Sequence, residues 1–136
     1  MKTTLLILFV ILSVACSNVH VANTSQHLKS DTEVKFRFNS DNILNKYTQK
    51  LDKDIAFLKR YPDKAVTIEG HTCLLGENEY NLDLGDRRAK MIKAYFIKNG
   101  IDAERIITVT YGEEKPKEHY KSTRENRRII IMDMNK

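Results

Sequence analysis

Proline occurs twice and glycine five times in the 136 residues, and no repeat or low-complexity tract is present. That scarcity argues against a disordered or fibrous chain, and 41% apolar with 30% charged residues is the balance of an ordinary globular domain. Histidine is sparse and scattered, at His20, His27, His71 and His119, without metal-ligand spacing, so no metal or other cofactor is expected. The apolar run from Leu5 to Leu12 is far below the roughly 20 residues that a helix needs to cross a bilayer. The net charge of +5 is a mild excess, with bases and acids interleaved. No aromatic-basic strand motif or recognition helix accompanies it, so nucleic acid is not an expected partner, and the basic balance suits an anionic wall or lipid surface.

What is present begins with a start that does not belong to a fold. Lys2, the run Leu5 to Leu12, the small residues Ser13, Val14 and Ala15, and then Cys16 make a charged, an apolar and a small-residue region in succession. This is a secretory signal pattern over residues 1–15. Its exit resembles a bacterial lipobox, which implies lipid on Cys16 and a membrane partner through that lipid, although Ser13 stands where the pattern prefers an aliphatic residue. Ser17 resembles the sorting position of lipoproteins held in the outer membrane, which would place the rest of the chain in the periplasm. Residues 16–32 are polar and aperiodic, the composition of a tether.

A domain is expected over residues 33–136. Glu33 to Phe38 alternates, with Val34, Phe36 and Phe38 on one face, which predicts a strand. Ser40 or Asp41 can cap a helix reaching Tyr61, with Ile43, Leu44, Tyr47, Leu51, Ile55 and Leu58 on one stripe and Pro62 as its stop. From Ala65, Val66 and Ile68 alternate with Thr67 and Glu69, which predicts a second strand ending at Gly70. Asn78 to Lys98 is a second helix with Tyr80, Leu84, Ala89, Ile92, Tyr95 and Phe96 at helical spacing, closed by Asn99-Gly100. Ile106 to Tyr111 is a third strand and Arg127 to Met134 a fourth, whose continuous apolar run suggests cover on both faces or a place at the sheet centre. The β-α-β-α-β-β order predicts an α/β (α+β) two-layer sandwich. Ile68, Leu84, Ile92 and Ile130 are expected in its core.

Several separated blocks then coincide with one family. Ile68-Glu69-Gly70-His71-Thr72, Tyr80-Asn81, Leu84-Gly85-Asp86-Arg87-Arg88-Ala89, Gly100-Ile101, Tyr111-Gly112-Glu113 and Asn126-Arg127-Arg128 stand in order across residues 33–134. Together they resemble the OmpA C-terminal-like domain family. The resemblance implies a domain that binds the peptide stem of peptidoglycan without covalent chemistry, gripping the ammonium and the carboxylate of diaminopimelate. An arginine serves the carboxylate, and Arg88 matches it; Phe38 and Asn39 match a ligand-touching segment after the first strand. Arg127 or Arg128 is a further candidate for the site, the alternative being a salt bridge that locks the last strand.

The chain departs from the family at Cys73, which occupies the position of the aspartate that serves the ammonium. A neutral thiol is a weak hydrogen-bonding group and no counter-ion. Losing one partner of a desolvated charge pair costs about 2–5 kcal/mol. A neighbouring acid, Glu77, Glu79, Asp83 or Asp86, could replace it. Cys73 with His71 two positions away also invites a thiol-nucleophile reading, but no third orienting residue is visible and an enzyme is not expected. A disulfide between Cys16 and Cys73 is excluded if Cys16 carries lipid. Two functions follow: a peptidoglycan-binding anchor, or a scaffold lipoprotein of a secretion or conjugation apparatus, docked in an envelope protein complex, that kept the fold and lost the wall.

Overall fold

The computed structural model describes residues 32–117 and 123–133. The signal segment, Cys16, all but the last residue of the tether and His119 lie outside the described residues. Four strands, β1 (Thr32–Lys35), β2 (Val66–His71), β3 (Ile106–Gly112) and β4 (Arg128–Asp133), form one sheet in the order β1-β4-β2-β3. β4 runs antiparallel to both neighbours, whereas β2 and β3 are parallel and joined through a helix. Helices α1 (Thr48–Arg60) and α2 (Asn78–Lys98) contribute Leu51, Ile55 and Leu58, and Ala89, Ile92 and Phe96, to a single core with Val34, Val66, Ile68, Ile106, Ile129 and Ile131 of the sheet. The two-layer α/β arrangement expected from the element order is the fold observed.

The apolar run Ile129 to Met132 does mark the sheet centre, because β4 lies between β1 and β2. Its two faces are not equivalent. The period of two turns Ile129 and Ile131 to the helices, fully buried, and leaves Ile130 and Met132 only partly covered on the other face. Ile130 is therefore outside the core, contrary to the expectation for it, while Ile68, Leu84 and Ile92 are inside.

Two boundaries also differ from the sequence pattern. β1 stops at Lys35; the Phe36 amide still donates to the Arg127 carbonyl at 2.8 Å, but the chain then turns through Asn39 at φ 49°. Phe38 consequently leaves the alternation and is 62% exposed. The first helix begins not at Ser40 or Asp41 but at Thr48, after a short 3-10 turn, Asn45–Tyr47. Arg88 of α2 holds the carbonyls of Arg37 and Ser40 on its guanidinium, which takes the Ser40 carbonyl from the first helical hydrogen bond it would otherwise accept. Ile43 and Leu44 still pack against the core.

α2 has the expected bounds. It ends where Gly100, at φ 88°, lets the Ile101 amide reach back to the Phe96 carbonyl at 3.1 Å. Its depth on the sheet is set by a pair of glycines. A Cβ on Gly70 would come within 2.2 Å of the Gly85 carbonyl oxygen, and one on Gly85 within 2.4 Å of Thr110 Oγ1. Backbone touches backbone here, and one helical turn beyond Gly85 the same buried face carries Arg88.

Candidate functional site

The turn after β1, the loop after β2 and the first turns of α2 meet at one end of the sheet and enclose an open pocket of about 220 Å³. Phe38 and Asn39 come from the turn, Thr72 and Cys73 from the loop, Tyr80, Asn81 and Arg88 from α2, and Arg127 from the residue before β4. All five residues proposed from the sequence, Phe38, Asn39, Cys73, Arg88 and Arg127, thus line one cavity. Cys16 lies outside the described residues.

Arg88 is the centre of this arrangement. The side chain is fully buried, with its guanidinium 5.1 Å from the centre of the Phe36 ring. Nε donates to the Ser40 carbonyl at 2.9 Å, one terminal nitrogen to the Arg37 carbonyl at 3.1 Å and the other, more weakly, to the His71 carbonyl at 3.4 Å. Three neutral carbonyls fix the plane of the group without cancelling its charge. Burial lowers its pKa to about 10, with Arg127 pushing in the same direction and Cys73 and Asp41 opposing, so it remains a cation at neutral pH. Among the described residues no carboxylate pairs with it.

The four acids that might have replaced the family aspartate do not line the pocket. Asp83 pairs with Arg87, and Asp86 with Lys90 at 2.6 Å. Glu77 and Glu79 are exposed at the start of α2. Asp41, the acid that acts on Arg88 electrostatically, is 3.6 Å from Arg87 instead. Glu113 accepts from Asn81 Nδ2 at 2.7 Å behind the pocket wall, and the same nitrogen lies 3.3 Å from the Leu75 carbonyl, which ties the loop to α2. The described lining therefore holds two arginines, neutral amides, hydroxyls and a thiol, and apolar Phe38, Leu75 and Leu84.

The remaining conspicuous residues separate by face. Arg87 points to solvent and pairs with Asp83, one helical step of about 100° from Arg88. Arg127 lies over the Phe38 ring at 6.0 Å, while Arg128 turns to the opposite side, 3.2 Å from the Lys115 carbonyl. His71 is buried, with Nε2 3.2 Å from Glu69 and its ring 5.4 Å from Tyr111. Burial and Arg128 hold its pKa below the ordinary value, against the pull of Glu69, so it is neutral at pH 7. The contacts of the ring are with Glu69 and Tyr111. Among the described residues no group of three His, Cys, Asp or Glu could hold a metal ion.

Sequence reasoning did not single out Thr72, Tyr80 or Asn81 as site residues. Tyr80 falls on the apolar stripe of α2 by spacing, yet it is 43% exposed, and its hydroxyl bonds Asn39 Oδ1 across the pocket mouth. A polar Asn81 one turn before Leu84 and Gly85, on the buried face of the helix that also carries Arg88, was the available signal.

The peptidoglycan-associated lipoprotein of Buchnera aphidicola subsp. Baizongia pistaciae is 36% identical over 112 residues, 80% of this chain and 65% of that protein. That of Pasteurella multocida is 46% identical over 83 residues, 61% of this chain and 55% of the relative. The chain thus spans about half to two thirds of the length of these curated relatives. Among solved structures, the peptidoglycan-associated lipoprotein from Burkholderia pseudomallei matches with a TM-score of 0.70 and 28% identity, over 75% of this chain and 89% of that one. With residues 35–129 matching the OmpA family, most of the described domain and every pocket residue fall within the match, and the chain belongs to that family.

Proposed function

We propose that the chain is an outer-membrane lipoprotein whose OmpA-like domain binds peptidoglycan non-covalently and anchors the envelope to the wall. The observation that carries this reading is Arg88, a buried cation held flat by three carbonyls at a pocket and given no acid partner among the described residues. Such a group is preorganised for an incoming carboxylate, which it can grip through its unused N–H donors, and the diaminopimelate carboxylate of the peptide stem is the ligand that fits this chemistry. Phe38, Asn39 and Arg127 surround the same opening. The names of the relatives support the same wall-binding role. In this reading residues 1–15 are a signal segment, Cys16 carries the lipid, and residues 16–32 tether the domain in the periplasm.

Co-sedimentation with purified sacculi tests the proposal. Wild-type chain should pellet with the wall, and Arg88→Lys, which keeps a charge but loses the planar grip, should pellet at least about tenfold less well, ~1.4 kcal/mol. A folded wild type that stays in the supernatant would favour the second reading, a scaffold lipoprotein of an envelope complex, for which the specific observation is Cys73 in place of an acid.

A further inference from the structure

We infer that this pocket selects a carboxylate whose neighbouring amine is acylated, in preference to a free zwitterion. The inference rests on the wall-binding reading above and concerns which stems the site accepts. Two guanidinium groups, Arg88 and Arg127, line the opening, and no acid does so among the described residues. Of the acids nearest in sequence or in the electrostatics, Asp41 and Asp83 are engaged with Arg87, Asp86 with Lys90 and Glu113 with Asn81, while Glu77 and Glu79 are exposed at the start of α2, outside the lining. A carboxylate entering here would neutralise repulsion between like charges. An ammonium carried a few bonds away would add a third cation to a partly enclosed space with no carboxylate among the described lining to balance it.

Neutral groups stand where a counter-ion would be needed. Cys73 is 3% exposed, Thr72 is buried with a hydroxyl that has no hydrogen-bond partner, and Asn39 presents an amide at the mouth. These suit an amide or an aliphatic arm, as do the apolar walls from Phe38 and Leu84. An ammonium converted into an amide is what a peptide cross-link produces on a diamino acid, with the adjacent carboxylate left free. The site therefore favours stems already joined to a neighbour over those that are not.

The test titrates the full chain in detergent with three forms of one diaminopimelate-containing stem fragment: side-chain amine free, the same amine acetylated, and amine acetylated with the adjacent carboxylate amidated. Sacculus co-sedimentation is run beside it. The acetylated form should bind about tenfold tighter than the free-amine form, and amidation should remove that binding. Cys73→Asp should reverse the preference by supplying the missing negative charge. A difference below about threefold, or tighter binding of the free amine, overturns the inference while sacculus binding keeps the wall-binding reading. Failure of all three fragments and of sacculi overturns both.

Discussion

Arg88 donates to three carbonyls and has five N–H groups to give, so the side chain is at once a staple for the Arg37–Ser40 turn and a charge without a carboxylate partner among the described residues. Cys73 is the residue that breaks the pattern around it, and it lines the same pocket as Arg88. Cys73→Asp should raise affinity for diaminopimelate-containing fragments with free amines by at least about tenfold, roughly 1.4 kcal/mol, and Arg88→Ala in that background should abolish the gain. Isothermal titration of the three proteins decides it, with circular dichroism to show that each is folded; equal affinities for wild type and Cys73→Asp would mean that the position does not face the ligand. The identities of Arg88, Cys73, Phe38, Asn39 and Arg127 as candidates were legible in the sequence because motif spacing survives in one dimension. That Arg88 lacks an acid partner among the described residues was not. Glu77, Glu79, Asp83 and Asp86 are close in sequence, and only the direction of each helix position shows that they pair with Arg87 and Lys90 or face solvent.

The depth at which α2 sits on the sheet rests on Gly70 and Gly85, and the two glycines are not equally demanding. A methyl on Gly70 would meet the backbone carbonyl of Gly85, which cannot rotate away, whereas one on Gly85 meets first the Thr110 hydroxyl, which can. Gly70→Ala should therefore cost more than Gly85→Ala, on the order of 3 kcal/mol against 1–2, and should weaken ligand binding by lifting Arg88. Chemical denaturation measures this, and equal midpoints for Gly70→Ala and wild type would remove the glycine pair from the account. In α1, Asp54 is buried with one carboxylate oxygen bonded by Thr32 at 3.0 Å and the other without a partner. Burial raises its pKa from 3.8 to about 6. The folded state thus keeps a proton that the unfolded chain releases, so stability from this group is full below pH 3.8 and falls as pH rises to about 6. Asp54→Asn should stabilise the domain by roughly 1–3 kcal/mol at pH 7.5 and make no difference below pH 4, by thermal melts across that range. Element bounds were legible where local rules act alone, as in α2 with its Gly100 exit. They failed at Phe38 and Ser40, where a side chain 48 residues away holds the turn.

Across the whole molecule, element order alone gave the two-layer fold, and the isoleucine run placed β4 inside the sheet. Which isoleucines face the helices depended on register, set by the pairs Ile68 with Ile131 and Glu69 with Ile130. One face of the sheet builds the core, and one end, where β2 and α2 meet the turn after β1, builds the pocket. At this scale the proposed anchor depends on lipid at Cys16. Cys16→Ser should shift the chain from the membrane fraction to the soluble fraction or leave it unprocessed, and unchanged membrane association and gel mobility would remove the anchor. The central claim, that the pocket receives a stem carboxylate on Arg88, is tested most directly by NMR of the chain carrying isotope-labelled arginine during titration with a diaminopimelate-containing stem fragment. The account predicts that the Arg88 guanidinium resonances move and saturate while those of Arg87, facing solvent beside Asp83, stay in place. Saturable binding with Arg88 unmoved, or with Arg87 moving equally, would contradict it.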